Sequence, residues 1–177
     1  SSDLQTIQYI DLRNTDLCNA KCQFCGPHHT NQWPGATLRH QLIDDYLDTI
    51  ITGDLIEIYF AGGEPLISQD HAKILQMCVD QGISYSINLR YSTNLSVLKY
   101  KDLDFVELWK KYKSVLLMPS ADGIGSTYEH IREKLNWKTF ENNLQYVKSQ
   151  GINLKILFVL CSLNIWNLKE TVRSEEH

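Results

Sequence analysis

Three cysteines lie close together near the start of the chain, at Cys18, Cys22 and Cys25. Three residues separate the first pair and two separate the second, so one short loop can wrap all three thiols around a compact inorganic centre. Clustered thiolates of this kind hold iron–sulfur clusters. A four-iron cluster with three protein ligands keeps one iron open for a further ligand, which is the property of a reactive metal site.

Two other interpretations of these thiols stay open. Zinc normally takes four protein ligands, and His28 or His29 would supply the fourth in a site of three cysteines and one histidine. Such a zinc-stabilised module would bind a partner rather than catalyse a reaction. Alternatively the thiols hold no metal, although free thiols rarely cluster without a redox or metal function.

The composition indicates one ordinary globular domain over residues 1–177, since 43% of the residues are hydrophobic. A net charge of -4 argues against a protein that grips nucleic acid mainly by its phosphates. No apolar run approaches the roughly 18 residues of a membrane span, and the N-terminus lacks the pattern of a signal peptide. An odd number of cysteines fits a reducing compartment, so we expect a cytoplasmic protein.

Five β-rich runs alternate with helical patterns along the chain. The predicted strands cover residues 7–12, 55–61, 83–91, 114–119 and 152–161. Helical spacing of apolar residues follows at 38–53, 74–82, 105–113 and 140–151, and a last helix begins near Asn164. This alternation predicts an α/β fold with a parallel sheet and right-handed crossovers, in which five βα units are too few for a closed eight-fold barrel.

Polar motifs come where predicted strands end, which is where ligands gather in parallel α/β folds. Gly62 and Gly63 would let the backbone approach a ligand closely, or they form a plain turn with Pro65 as the first helical residue. Two further polar groups follow the third and fourth predicted strands, and each is equally consistent with an ordinary loop or turn. These groups are Ser92-Thr93-Asn94 and Ser120-Ala121-Asp122.

The cysteine triplet with Phe24 before its last member, followed by Gly62-Gly63-Glu64-Pro65 after a hydrophobic strand, resembles the radical S-adenosylmethionine (radical SAM) enzymes. The later segments are most similar to the subgroup with C-terminal SPASM or twitch extensions, and the resemblance runs from about residue 7 to about residue 164. It implies a partial (β/α)6 TIM-like barrel that lacks its last strand or strands and any C-terminal extension.

The resemblance also implies an activity. The free iron of a [4Fe-4S] cluster would chelate S-adenosylmethionine, and an electron from a donor such as flavodoxin or ferredoxin would cleave the sulfonium. The resulting 5'-deoxyadenosyl radical would abstract hydrogen from a substrate, for which the subgroup suggests a peptide or protein. A rival interpretation is an inactive scaffold that keeps the fold for partner binding.

Site residues follow from the same resemblance. The cluster would be held by Cys18, Cys22 and Cys25, and the backbone of Phe24 would lie near the adenine. The remaining contacts to S-adenosylmethionine would come from the ends of strands two, three and four and from an arginine that binds the methionine carboxylate. They are Gly62, Gly63, Glu64 and Pro65 for the ammonium, Ser92, Thr93 and Asn94, Ser120 and Asp122, and Arg132.

Several positions carry a second interpretation. Glu133 stands where the subgroup usually has glycine after the arginine, a departure that favours the inactive scaffold. Cys78 lies on an apolar helical face, so we expect a core residue. Cys161 would end strand five and is also expected to pack, and Asn164 would either face the site or cap a helix.

Overall fold

The structure, a computed structural model, describes residues 6–41 and 43–174. Its strands are β1 (Tyr9–Leu12), β2 (Lys21–Cys22), β3 (Glu57–Phe60), β4 (Asn88–Thr93), β5 (Lys99–Tyr100), β6 (Leu103–Asp104), β7 (Ser114–Pro119), β8 (Arg132–Glu133) and β9 (Asn153–Leu154). Its helices are α1 (Leu47–Ile50), α2 (Gln69–Asp80), α3 (Phe105–Trp109), α4 (Gly125–Ile131), α5 (Trp137–Ser149) and α6 (Leu168–Ser174). Within the described ranges, no helix combines the length and apolarity that crossing a membrane requires.

The central sheet confirms the predicted α/β class. Five parallel strands lie in the order β1-β3-β4-β7-β9, so strands that follow one another along the crossovers are also neighbours in space. Two small antiparallel pairs, β2 with β8 and β5 with β6, were not predicted from the sequence. The β2–β8 pair matters for the site, because it joins the cysteine loop to the segment after α4.

The two faces of this sheet differ in chemistry. One face, called here the helix face, carries alternate apolar residues that pack beneath the helices, including Leu12, Ile58, Phe60, Leu89, Tyr91 and Leu117. The opposite face, called here the polar face, carries the intervening residues, including Asp11, Glu57, Tyr59, Arg90 and Ser92. The period of two along each strand therefore separates the core from a polar surface.

Aromatic rings fill the centre of the helix face. Phe60 stacks on Tyr91 with ring centroids 5.1 Å apart, and the His71 ring of α2 meets both of them edge-on. The indole Nε1 of Trp109 donates to the Tyr91 hydroxyl oxygen, which lies 2.9 Å from His71 Nε2. Burial lowers the pKa of His71 to about 3, so the imidazole is neutral in the folded protein.

The predicted fifth strand was wrong in extent, since regular pairing stops at Leu154 rather than at Cys161. Lys155 N and Leu157 N still donate to the backbone of β7, but from Val159 onward the N–H groups bond to side chains: Val159 donates to Asp122 Oδ1 and Cys161 donates to Asn164 Oδ1. The predicted third strand was also displaced, because Ser84–Ser86 forms a 3-10 turn. Ser92 and Thr93 consequently lie within β4 rather than after it.

The predicted helix over 38–53 was wrong in its first half. Helical backbone begins only at Asp44, and Leu42 lies outside the described residues. The segment before it is bound to the chain that follows β1: Arg39 N donates to Asp16 Oδ1 and Gln41 N donates to Asn14 O. Because these backbone N–H groups bind the chain after β1, they cannot form the hydrogen bonds of a helix. Tertiary contacts therefore override the helical periodicity of the sequence.

Candidate functional site

The carboxyl ends of β1, β3, β4 and β7 meet around one cavity of about 240 Å³. All three cysteines of the triplet line it, which is the central expectation from the sequence. Most of the predicted cofactor-binding residues line it as well, namely Phe24, Gly62, Gly63, Glu64, Ser92, Thr93, Asn94, Ser120 and Arg132. Two predicted residues do not: Pro65 begins a 3-10 turn, and Asp122 lies fully buried behind Arg132.

The cysteine loop is folded against β8. Cys22 pairs in register with Arg132, and Cys25 N donates to Cys22 O at 3.0 Å. All five cysteines fall within the described residues and are free thiols. Burial raises the pKa of Cys18 to about 12 and also raises the pKa values of Cys22 and Cys25, so a metal must displace protons when it binds here.

The donor set fits an iron–sulfur cluster better than a single metal ion. Three thiols open onto a common cavity. The rest of the cavity wall, where a ligand of the fourth iron would lie, is lined by backbone and polar groups rather than by another cysteine. Over the residues that the structure describes, no three Cys, His, Asp or Glu side chains converge as the ligands of one ion would. Both His28 and His29 are exposed, and of the two only His29 lines the cavity of the three thiols.

The double glycine is required by the cysteine loop itself. A Cβ built on Gly63 would lie 2.0 Å from Leu17 O, and one on Gly62 would lie 2.9 Å from Thr15 O. Gly62 also has a φ of +109°, a conformation that side chains disfavour. Gly63 N donates to Thr15 O at 3.1 Å, so the end of β3 holds the backbone that leads into Cys18.

Glu64 joins the ends of β3 and β4. Its carboxylate is 1% exposed; Oε1 accepts from Thr93 Oγ1 at 2.7 Å and Oε2 accepts from Asn94 N at 2.6 Å. Asn94 Nδ2 then donates to Asn19 Oδ1 inside the cysteine triplet. Burial raises the pKa of Glu64 while these hydrogen bonds oppose the change. The carboxylate thus serves the scaffold, and the backbone of this turn faces the cavity.

Arg132 forms the floor of the cavity beside the cysteines. Its Nη2 lies 2.6 Å from Asp122 Oδ2, its Nη1 lies 3.7 Å from Cys22 Sγ, and its guanidinium lies 6.0 Å from the Phe24 ring centroid. The side chain is only 10% exposed, and its Nε has no hydrogen-bond partner among the described residues. A buried donor without a partner next to a cavity favours an acceptor on a bound ligand.

Two residues that hold Cys18 were missed from the sequence. Asn31 Oδ1 accepts from Cys18 N at 3.0 Å, and Gln32 Nε2 donates to Cys18 O at 2.6 Å. Lys134 Nζ in turn donates to Gln32 Oε1. The signal available in the sequence was a pair of amide side chains shortly after a metal-type motif.

The remaining positions are not at the cavity. Cys78 is fully buried in the core, as expected. Cys161 lies in the loop after β9 and is half-buried. Asn164 caps no helix with its side chain; instead its Nδ2 donates to Asp122 O and Val159 O, which fixes the loop that carries Cys161.

Comparisons with known proteins agree with this geometry. A family model described as the radical SAM superfamily matches residues 14–174. An S-adenosylmethionine-dependent nucleotide dehydratase of Selenomonas ruminantium is 32% identical over 167 residues, which cover 88% of this chain and 57% of that protein. A GTP 3',8-cyclase of Campylobacter lari is 24% identical over 153 residues, which cover 85% of this chain and 46% of that protein.

Solved structures are similar in fold. Native anSMEcpe with bound AdoMet has a TM-score of 0.74 at 16% identity, covering 96% of this chain and 49% of that one. Streptococcus suis SuiB bound to its precursor peptide SuiA has a TM-score of 0.67 at 16% identity, covering 96% of this chain and 36% of that one. The chain therefore spans about half the length of the curated relatives it matches.

Proposed function

Because the chain belongs to the radical SAM superfamily, we propose that it holds a [4Fe-4S] cluster on Cys18, Cys22 and Cys25 and cleaves S-adenosylmethionine. The observation that carries the proposal is the single cavity shared by the three thiols and the strand-end residues. When bound and reduced by a flavodoxin or ferredoxin, the cluster supplies the electron that breaks the sulfonium and gives a 5'-deoxyadenosyl radical. Thiols that must stay reduced also favour a cytoplasmic location.

The chain's own residues then orient the cofactor and exclude water. The backbone of Gly62 and Gly63 receives the ammonium, while Ser92, Asn94 and Ser120 present polar groups around the same cavity. Arg132 offers its unpartnered Nε to the methionine carboxylate, and Asp122 keeps the guanidinium in place. Phe24, 45% exposed at the rim, shields the adenine side.

For the substrate we propose a nucleotide, with a peptide as the second candidate. The relative with the highest quoted identity is a nucleotide dehydratase, and the cyclase relative is named for GTP. The peptide candidate comes from the proposed SPASM or twitch subgroup and from a neighbour bound to a precursor peptide, at an identity where likeness extends to the fold alone. The sequence identity of 32% to the nucleotide dehydratase supports a nucleotide as the first candidate.

The cleavage is tested after anaerobic reconstitution of the chain with iron and sulfide. Dithionite and S-adenosylmethionine are then added, and 5'-deoxyadenosine is measured by chromatography. We expect product from the wild type, none from Cys22→Ala, and wild-type amounts from Cys161→Ala, a matched loss of a thiol away from the cavity. A cluster without product would favour the inactive scaffold. Zinc without iron in the purified chain would contradict the proposal.

A further inference from the structure

A second and larger cleft, of about 890 Å³, lies beside the cysteine cavity. Gly62 and His29 belong to the walls of both spaces, so the two are adjoining. We call this space the lateral cleft; its wall contains the side chains of Arg13, Arg39, His28 and His40. A cleft of this volume can hold a whole small-molecule ligand rather than a single ion.

Carboxylates bind the basic side chains Arg39 and His40 of the cleft wall. Arg39 Nε lies 3.0 Å from Asp16 Oδ2, and the arginine is 61% exposed while the aspartate is 7% exposed. His40 Nε2 lies 2.6 Å from Asp70 Oδ2, with exposures of 39% and 13%. In both pairs the donor side chain is the more exposed and the carboxylate the more buried partner, and Asp16 also forms part of the cleft wall. Buried carboxylates in this position orient a binding group rather than occupy it.

Arg13 repeats the arrangement on the side nearest the sheet. Its Nε and Nη2 donate to the two carboxylate oxygens of Asp11, and the exposures are 57% and 38%. The guanidinium also lies 5.5 Å from the ring centroid of Tyr59 on the polar face, which restricts its orientation. The cleft thus presents two pre-oriented guanidinium groups, and His40 and the exposed His28 and His29 add imidazoles.

Enough hydrogen-bond donors remain for a ligand. A guanidinium carries five N–H donors. Arg13 uses two of its nitrogen atoms, and Arg39 uses one, to bind their carboxylates. The carboxylates offset the positive charge of the two arginines but leave their remaining N–H donors free. The cleft therefore selects ligands by bidentate geometry more than by attraction at long range. Bidentate donors of this kind match phosphate oxygens.

We propose that the lateral cleft binds the phosphate groups of a nucleotide substrate, with Arg13, Arg39 and His40 as the residues that recognise them. The nucleoside part would extend past Gly62 and His29 toward the cysteine cavity. This inference rests on the proposed nucleotide chemistry and adds the place and the residues that select the phosphates. It makes Arg13 and Arg39 specificity-determining residues that take no part in cleaving S-adenosylmethionine.

Calorimetric titration of the reconstituted full chain with saturating S-adenosylmethionine tests this inference, because the cofactor then blocks the cysteine cavity. The titrants are cytidine triphosphate, guanosine triphosphate, inorganic triphosphate and the two unphosphorylated nucleosides. We expect inorganic triphosphate and at least one nucleotide to bind, the nucleosides to bind far more weakly, and binding to weaken with added salt.

Variants locate the binding. Arg13→Gln and Arg39→Gln are each expected to weaken binding of inorganic triphosphate about tenfold or more, since each removes a charged donor. Arg173→Gln, the same change at an exposed residue of α6, should bind as the wild type does. Because Arg39 also holds a buried aspartate, Arg13→Gln, whose partner is more exposed, keeps the test interpretable if Arg39→Gln folds poorly.

Equal binding by Arg13→Gln, Arg39→Gln and the wild type would overturn the inference. The inference would also be overturned if nucleosides bound as tightly as their triphosphates, or if nucleotides bound only when S-adenosylmethionine is absent. The same holds if an acidic peptide, titrated in the same way, bound when inorganic triphosphate did not. Formation of 5'-deoxyadenosine is measured separately without substrate. A wild-type chain that cleaves S-adenosylmethionine but binds no phosphate ligand therefore rejects the cleft assignment alone, whereas a wild-type chain that forms no 5'-deoxyadenosine rejects the proposed function.

Discussion

The helix face and the polar face of the sheet are built from the same strands, yet they do different work. On the helix face, Phe60 and Tyr91 are almost fully buried among aromatic and aliphatic neighbours. On the polar face, Tyr59 lies between the guanidinium groups of Arg13 and Arg90 and its hydroxyl contacts Ser92. Adjacent residues of one strand thus contribute separately to the buried core and to the polar face.

The largest expected effect contrasts two neighbouring aromatic residues of β3. Phe60→Ala removes a fully buried ring that contacts His71 and Tyr91, so we expect it to lower the free energy of unfolding by about 3–5 kcal/mol. Tyr59→Ala removes a half-buried ring from the polar face and should cost about 1 kcal/mol. Urea unfolding followed by circular dichroism measures both. Equal losses would show that the two faces do not divide the roles.

A smaller effect on stability but a larger one on the site is expected at the end of β3. Gly63→Ala places a methyl group against the Leu17 carbonyl, and the backbone before Cys18 must move. We expect a loss of about 2 kcal/mol in unfolding free energy and a clear fall in iron bound after reconstitution. Gly53→Ala is the matched control, because nothing lies within 4 Å of its added Cβ. Normal iron content in Gly63→Ala would contradict the role given to this glycine.

The strand pattern and the cysteine motif carried most of what the sequence could predict. All five parallel strands were located, and the cysteines and nine strand-end or loop residues came together around one cavity. Local patterns suffice for this, because alternation and turn residues are set within a few positions.

What the sequence could not predict depends on distant partners. The helical periodicity over 38–53 did not predict that Arg39 and Gln41 bond to the chain after β1. Pairing of β2 with β8 brings Arg132 beside Cys22 across 110 positions, and Asp122 ends strand five early by taking the Val159 N–H. The contact of Arg39 and Gln41 with the chain after β1 also brings together the basic side chains of the lateral cleft, which lie between Arg13 and His40 in the sequence.

The third effect tests how completely the helix face excludes water. Burial lowers the pKa of His71 to about 3 in the folded protein, against 6.5 for an exposed imidazole. Between pH 3 and pH 6.5 the unfolded chain therefore binds a proton at this residue that the folded chain does not bind. Its contribution to stability is present above pH 6.5 and is lost as the pH falls toward 3. The unfolding free energy should therefore drop by about 1.3 kcal/mol between pH 7.5 and pH 5.5 on account of this residue.

His71→Gln should remove that share of the pH dependence even though it also destabilises the core, because glutamine does not titrate. His130→Gln removes an exposed imidazole from α4 and serves as the control. Urea unfolding of the three proteins at the two pH values gives the comparison. If His71→Gln kept the full difference, water or a compensating charge would reach the imidazole, and the helix face could no longer be regarded as the dry side of the sheet. The aromatic cluster of Phe60, Tyr91 and Trp109 would then have to open on the timescale of proton binding, which the Trp109 hydrogen bond to Tyr91 argues against.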